Sequence, residues 1–189
     1  MIADCTAVVL AGGASRRMGR DKADLVVGGE TLLRQIVAGM RRQFDDVIVS
    51  VRERRPEPDL RQVLDPPATQ GPLGGLLAGL EAAATPWIFV IACDMPFVAP
   101  EVIATLAARR GVADAIVPQV GGHPQPLAAF YAQRCAIPLR ALLAGPPPHS
   151  LRALLGRVSV DRVPEADLRA ADPTLRSFVD LDTPDDLLG

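Results

Sequence analysis

The sequence predicts an α/β fold, one domain over residues 1–189 in which a mostly parallel sheet is covered by helices on both faces. Three observations carry this. Short apolar, partly β-branched runs at 6–11, 46–51 and 87–93 have the length and continuity of strands buried on both sides. Between them, apolar residues recur at helical spacing, and such alternation gives right-handed crossovers and parallel pairing. Finally, 189 residues with 49% hydrophobic side chains suffice for one core, and with 4% aromatics that core is built from Ala, Val, Leu and Ile.

The first strand, 6–11, runs into Leu10-Ala11-Gly12-Gly13-Ala14-Ser15-Arg16-Arg17-Met18-Gly19-Arg20-Asp21-Lys22. Gly12 and Gly13 carry no Cβ, so backbone N–H groups there approach an anion that side chains would hold away. Arg16, Arg17, Arg20 and Lys22 follow, opposed only by Asp21, which makes the loop locally positive and suited to a polyphosphate. Neither G-x-G-x-x-G nor G-x-x-x-x-G-K-[ST] fits the spacing. Lys22 is the one lysine among 20 cations, a compact ammonium suited to a triphosphate contact.

Residues 24–29 read as a short extended piece ending in a glycine turn, and Thr31 caps a helix from Leu32 to about Phe44, apolar at Leu32, Leu33, Ile36, Val37 and Met40. Residues 46–51 form the second strand and 52–58 a solvated loop. A shorter strand at 62–65 ends in Asp65. Ser50 and Asp65 lie at carboxyl ends of strands, where an open α/β sheet places ligand contacts; each is equally readable as a cap or turn residue. Gly71-Pro72-Leu73-Gly74-Gly75 opens a helix to about Ala84, a start that receives an anion or base edge, or packs tightly through its glycines, or both.

The most apolar strand, 87–93, delivers Asp94 in a turn stiffened by Pro96, and Asp94 is the best metal ligand in the chain. Magnesium takes one or two carboxylates plus water and substrate phosphates, so a lone Asp suffices. A helix at 100–110 and a strand at 113–118 follow. His123-Pro124-Gln125-Pro126 is a proline-stiffened turn into a strand, with His123 and Gln125 as candidate contacts to a second substrate. A helix at 134–143, a proline break at 145–148, a short helix at 150–155 and a strand at 178–182 complete the order. The last helix starts at Thr183-Pro184.

Net charge is −2, which argues against a general nucleic-acid or membrane-surface binder. Cys5, Cys93 and Cys135 are odd in number with no C-x-x-C spacing and predict reduced, buried thiols. His123 and His149 have no partner at zinc-ligand spacing. No signal segment or membrane-length apolar run is visible, so a cytoplasmic protein is expected.

Residues 10–22 resemble the signature of molybdenum cofactor guanylyltransferases, L-A-G-G-x-S-x-R-M-G-x-D-K, at every specified position. Sugar-phosphate and cytidylyl-transferring relatives usually begin L-A-A-G, which makes Gly12 the informative residue. The resemblance extends to G-P-L-x-G at 71–75, C-D-x-P at 93–96 and a Q-P-L-x-A-x-Y run at 125–131.

It implies a single Rossmann-like nucleotidyltransferase domain. It further implies Mg2+-dependent transfer of GMP from GTP to the terminal phosphate of molybdopterin, with release of pyrophosphate. Under it, Arg17, Lys22 and Asp94 are catalytic. Leu10, Ala11, Gly12, Gly13, Ser15, Lys22, Ser50, Asp65, Gly71, Pro72, Leu73 and Asp94 bind the nucleotide, Asp94 and Asp182 the metal, and His123 and Gln125 the acceptor. A molybdoenzyme or cofactor-insertion partner is implied as recipient of the product.

The chain departs from the family's usual N-x-N-T-P, with Asp180 and Asp182 in the asparagine positions. Asp182 is then either a second magnesium carboxylate or a charge repelling the triphosphate. Two rival readings stay open: a cytidylyl or sugar-phosphate nucleotidyltransferase of the same fold, and a non-catalytic molybdopterin carrier or nucleotide sensor.

Overall fold

The computed structural model describes residues 1–12, 22–67, 69 and 71–181. Strand β1 (Cys5–Leu10) is buried along its whole length and lies between parallel neighbours, which explains its unbroken apolar character. A short hairpin of β2 (Val26–Val27) and β3 (Glu30–Thr31), turned by Gly28 and Gly29, leads into α1 (Leu32–Arg41). The Thr31 side chain accepts the Arg34 N–H and caps that helix, as its sequence predicts. Strand β4 (Asp46–Val51) pairs parallel with β1, and β5 (Arg61–Leu64) parallel with β4.

Helix α2 (Pro72–Ala82) then carries the chain to the other side of β1, where β6 (Trp87–Ala92) pairs with it in parallel. β1 is therefore the point where strand order reverses. In open α/β sheets, ligands bind in the crevice such a reversal leaves at the carboxyl ends of the strands. After α3 (Pro100–Ala107) come β7 (Ala115–Val120), β8 (His123–Pro124) and β9 (Ala128–Ala132). Helices α4 (Ala136–Ala144) and α5 (Leu151–Leu155), strand β10 (Val160–Val163) and α6 (Glu165–Ala171) follow. The sheet order is β10-β7-β9-β6-β1-β4-β5, with β9 antiparallel to both neighbours and β8 antiparallel to β7. The sheet is thus mostly parallel and covered on both faces, as expected.

One face packs against α1, α3 and α6 around Phe44, Phe89 and Phe130, with ring centroids 5.6 Å apart for Phe44 and Phe89 and 4.9 Å for Phe89 and Phe130. The other packs against α2, α4 and α5. Helix α2 comes very close to the sheet: a Cβ at Gly79 would stand 2.6 Å from a Val8 methyl. Cys5, Cys93 and Cys135 are all buried and none forms a disulfide. Among the described residues, no helix is long and apolar enough to cross a membrane.

The C-terminal region differs from the sequence reading. Residues 178–182 were expected as a strand, but Arg176–Phe178 is a turn of 3-10 helix and 179–181 make no strand pairing. Leu175 takes a left-handed conformation at φ 56°. The N–H groups of Phe178 and Val179 close local turns onto Leu175 and Arg176, which uses donors a strand would need. Strand β10 and helix α6 were not read from the sequence at all. β10 is four residues long and buries only Val163, while α6 is polar and buries only Leu168. The helix expected from Thr183 lies outside the described residues.

Candidate active site

The carboxyl ends of β1, β4, β5 and β6 converge on a cleft of about 270 Å³. Its floor is the start of α2. Gly71, at φ 71°, turns the chain into the helix in a conformation that an L side chain rarely adopts, and Pro72 occupies the first helical turn. Gly75 faces the sheet, where a Cβ would collide with Ser50 Oγ and stand 2.9 Å from Leu10. The absent side chain is what lets the helix N-terminus, with its free N–H groups and positive dipole end, reach this cleft.

One wall is a hydrogen-bonded pair from adjacent strands. Ser50, the buried penultimate residue of β4, donates its hydroxyl to Asp65 Oδ1 just beyond β5. The position of Asp65 is fixed by its own N–H, which donates to Val51 O at 2.9 Å. Burial pushes the Asp65 carboxyl above its ordinary value, opposed by the Ser50 hydroxyl and the Arg52 charge. Arg52 also lines the cleft. Gly12 lies against this wall, where a Cβ would stand 2.6 Å from Asp65 Oδ2 and 3.3 Å from the Arg52 stem.

The opposite wall carries an ion pair. Asp94 leaves the end of β6 in a turn closed by the Met95 N–H on Ala92 O, and Lys22 Nζ stands 3.1 Å from Asp94 Oδ2. The two side chains keep 16% and 25% of their surface exposed, enough for both to meet a ligand. The Cys93 N–H donates to Leu10 O at 3.1 Å, tying this turn to the end of β1. Residues 72 apart in sequence therefore form one ion pair because both flank the same strand end.

Of the residues singled out from the sequence, Leu10, Gly12, Lys22, Ser50, Asp65, Gly71, Pro72 and Asp94 meet in this cleft. Ala11 lies at its edge, buried, with its N–H on Ser50 O. Leu73 points into the core between α2 and the sheet and forms no part of the cleft wall. His123 is exposed on β8 and does not line the cleft, and the same holds for Gln125, half-buried with its N–H on Pro118 O. Two residues further on, Leu127 does line it. Gly13, Ser15, Arg17 and Asp182 lie outside the described residues.

The sequence reading missed Arg52, placing it in a solvated loop. The missed signal was period-two alternation, which brings residues 50 and 52 to one side of β4 as it leaves the sheet.

Among the described residues, no three carboxylate, His or Cys side chains cluster as a metal cage. A magnesium ion that binds with a nucleotide needs no such cage, and the partly exposed Asp94 carboxylate at the cleft is a donor of the right kind.

Known proteins resemble this chain over nearly its whole length. A family model described as "MobA-like NTP transferase domain" matches residues 7–163. A protein of Chloroflexus aggregans named "Probable molybdenum cofactor guanylyltransferase" is 39% identical over 188 residues, covering 95% of this chain and 90% of that protein. A relative of the same name from Pelotomaculum thermopropionicum is 38% identical, covering 97% of this chain and 90% of its own length. The crystal structure of molybdopterin-guanine dinucleotide biosynthesis protein A from Archaeoglobus fulgidus superposes with a TM-score of 0.83 at 30% identity. That match covers 97% of this chain and 95% of the other.

Proposed function

We propose a function for this chain, which belongs to the MobA-like NTP transferase family, from that membership and from the geometry of its cleft. It transfers GMP from GTP to the terminal phosphate of molybdopterin, forming molybdopterin guanine dinucleotide and releasing pyrophosphate. The observation that carries this reading is the Lys22–Asp94 pair, set across a glycine-floored cleft from Ser50 and Asp65. The cleft thus offers a charged end for phosphates and a hydrogen-bonding end for a base and sugar. The names of relatives up to 39% identical support guanine as that base.

The chemistry needs little from the protein beyond position and charge. A phosphate oxygen of the acceptor attacks the α-phosphorus of GTP, a P–O bond forms, and the bond to the pyrophosphate oxygen breaks. A phosphate is already anionic at neutral pH, so no general base is required. Lys22 neutralises charge on the phosphates, joined by Arg17. The backbone of Leu10, Ala11, Gly12 and Gly13 and the hydroxyl of Ser15 approach the nucleotide. The start of α2 at Gly71 and Pro72 presents N–H groups and a positive dipole to it. Ser50 and Asp65 hold the nucleoside, and Asp65, as an acceptor raised in pKa by burial, suits a ring N–H donor.

Asp94, with Asp182, would hold magnesium, which supplies charge neutralisation at the triphosphate when bound. His123 and Gln125 meet the acceptor, reached past Leu127. The protein works in the cytoplasm and passes its product to a molybdoenzyme or its insertion partner.

Pyrophosphate release with magnesium and a molybdopterin acceptor, compared for GTP, CTP, ATP and UTP, tests this reading. Release with GTP alone is expected; a preference for CTP assigns the chain to cytidylyl transfer. Binding of GTP without release from any nucleotide assigns it to a carrier or sensor role.

Gly12 gives a second expected outcome. Gly12→Ala places a methyl carbon 2.6 Å from Asp65 Oδ2, too close for contact, so the carboxylate shifts and its bond to Ser50 is disturbed. Displacing one of the two proposed nucleoside contacts is expected to weaken GTP binding roughly 10-fold, the scale of about 1.4 kcal/mol, with a smaller effect on kcat. Equilibrium titration of GTP against the variant and steady-state kinetics measure the split.

A further inference from the structure

Beyond β10 the chain returns to the turn that carries Asp94. Three contacts join the segment 172–181 to the loop 94–99, each by a different kind of interaction. The Leu181 N–H donates to the main-chain oxygen of Asp94 itself at 2.8 Å. The Arg176 guanidinium lies 4.0 Å from the centroid of the Phe97 ring. Ser177, fully buried, accepts the Ala99 N–H at 3.0 Å on its Oγ, where α3 begins.

One carboxylate holds the segment in the shape that makes these contacts. Asp172 Oδ2 accepts the Ser177 N–H at 2.8 Å and the Ser177 hydroxyl at 2.7 Å. Its Oδ1 accepts the Thr174 N–H at 3.2 Å and the Thr174 hydroxyl at 2.9 Å. Ser177 is thus a relay, its Oγ–H given to Asp172 and its lone pair to Ala99 N–H. Burial works to raise the Asp172 carboxyl, but the Ser177 and Thr174 donors outweigh it and hold it down to about 2. It therefore stays ionised and fully engaged at any pH the protein meets in a cell.

We propose that residues 172–181 are a strap that sets the position of the Asp94 carboxylate for metal binding, with Asp172 as its clasp and Ser177 as its link. The turn that carries Asp94 is held at two ends. Its β6 end is fixed by the sheet, through the Cys93 N–H on Leu10 O. Its far end leaves the sheet, where Met95 is buried in the core and the Leu181, Arg176 and Ser177 contacts hold the chain from the C-terminal side. Loosening them frees the Asp94 main chain and with it the direction of the carboxylate. Asp172 and Ser177 do not line the cleft, so both are positioning residues. The strap rests on the assignment of Asp94 to the metal.

The test separates the two claims. Binding of Mn2+ in the presence of GTP, read from loss of the free-ion EPR signal, is measured for the intact protein, Asp94→Ala, Asp172→Asn and Ser177→Ala. Partners that orient metal ligands typically change affinity 10–100-fold, so the strap variants are expected to bind Mn2+ about 10-fold more weakly. The metal concentration giving half-maximal pyrophosphate release rises in step, and GTP affinity without metal stays unchanged. Arg176→Gln, at an exposed residue, weakens Mn2+ binding in the same direction and serves if Ser177→Ala does not fold.

Ser150→Ala removes the cap of α5 on the opposite face of the sheet and controls for general destabilisation; wild-type Mn2+ affinity is expected. Wild-type Mn2+ affinity in folded strap variants, with binding lost in Asp94→Ala, overturns the strap and leaves the Asp94 assignment standing. Equal weakening in Ser150→Ala also overturns it. Wild-type affinity in Asp94→Ala overturns both.

Discussion

Asp94→Ala lowers the rate of pyrophosphate release on the order of 100-fold or more, the scale for losing one preorganised electrostatic contact. The variant is expected to fold, because the side chain is one-quarter exposed on the cleft and its main-chain bond from Leu181 survives the substitution. GTP affinity measured without metal is expected to hold or to rise, since a negative charge beside the triphosphate has gone. The loss therefore falls on kcat and on the magnesium dependence rather than on nucleotide binding. Near-normal turnover with added magnesium removes Asp94 from the mechanism.

Lys22→Ala has a comparable effect on rate but a different signature. The ammonium neutralises Asp94 at 3.1 Å, and in the proposed reaction it also meets the phosphates. Its removal is expected to weaken GTP binding as well as slow transfer, again on the order of 100-fold in kcat/KM. Lys22→Arg restores little, because a planar guanidinium is larger and more weakly hydrated than the ammonium it replaces. The double variant lies close to either single one, since the two residues act as a unit and such losses do not multiply. Steady-state kinetics on the four proteins of the cycle measure this. Full multiplication of the two losses would mean that Lys22 and Asp94 act independently.

The central strands were legible because β1, β4 and β6 are buried on both faces and leave an uninterrupted apolar run in the sequence. Most of the cleft was legible for the same reason: Gly12, Ser50 and Asp94 stand at or near the ends of those runs, and Asp65 stands just beyond the shorter β5. What stayed hidden has no such contrast. β10 is a four-residue edge strand with one buried residue, and α6 turns one buried leucine inward. The antiparallel insertion of β9 between β6 and β7 follows from tertiary pairing, to which local pattern is blind. Residues 178–182 read as a strand in the sequence, whereas Asp172 accepts donors two and five residues ahead and folds the preceding segment into turns. The strap on the Asp94 loop is a consequence of that same local chemistry.

The central claim is that GMP, and no other part of GTP, moves to the acceptor. It is tested most directly by supplying GTP labelled at either the α- or the γ-phosphate, with magnesium and molybdopterin, and locating the label after one turnover. Transfer of GMP predicts the α-label in the pterin dinucleotide and the γ-label in pyrophosphate. A γ-label in the pterin product, or both labels remaining in GTP while the protein stays saturated with it, contradicts the account.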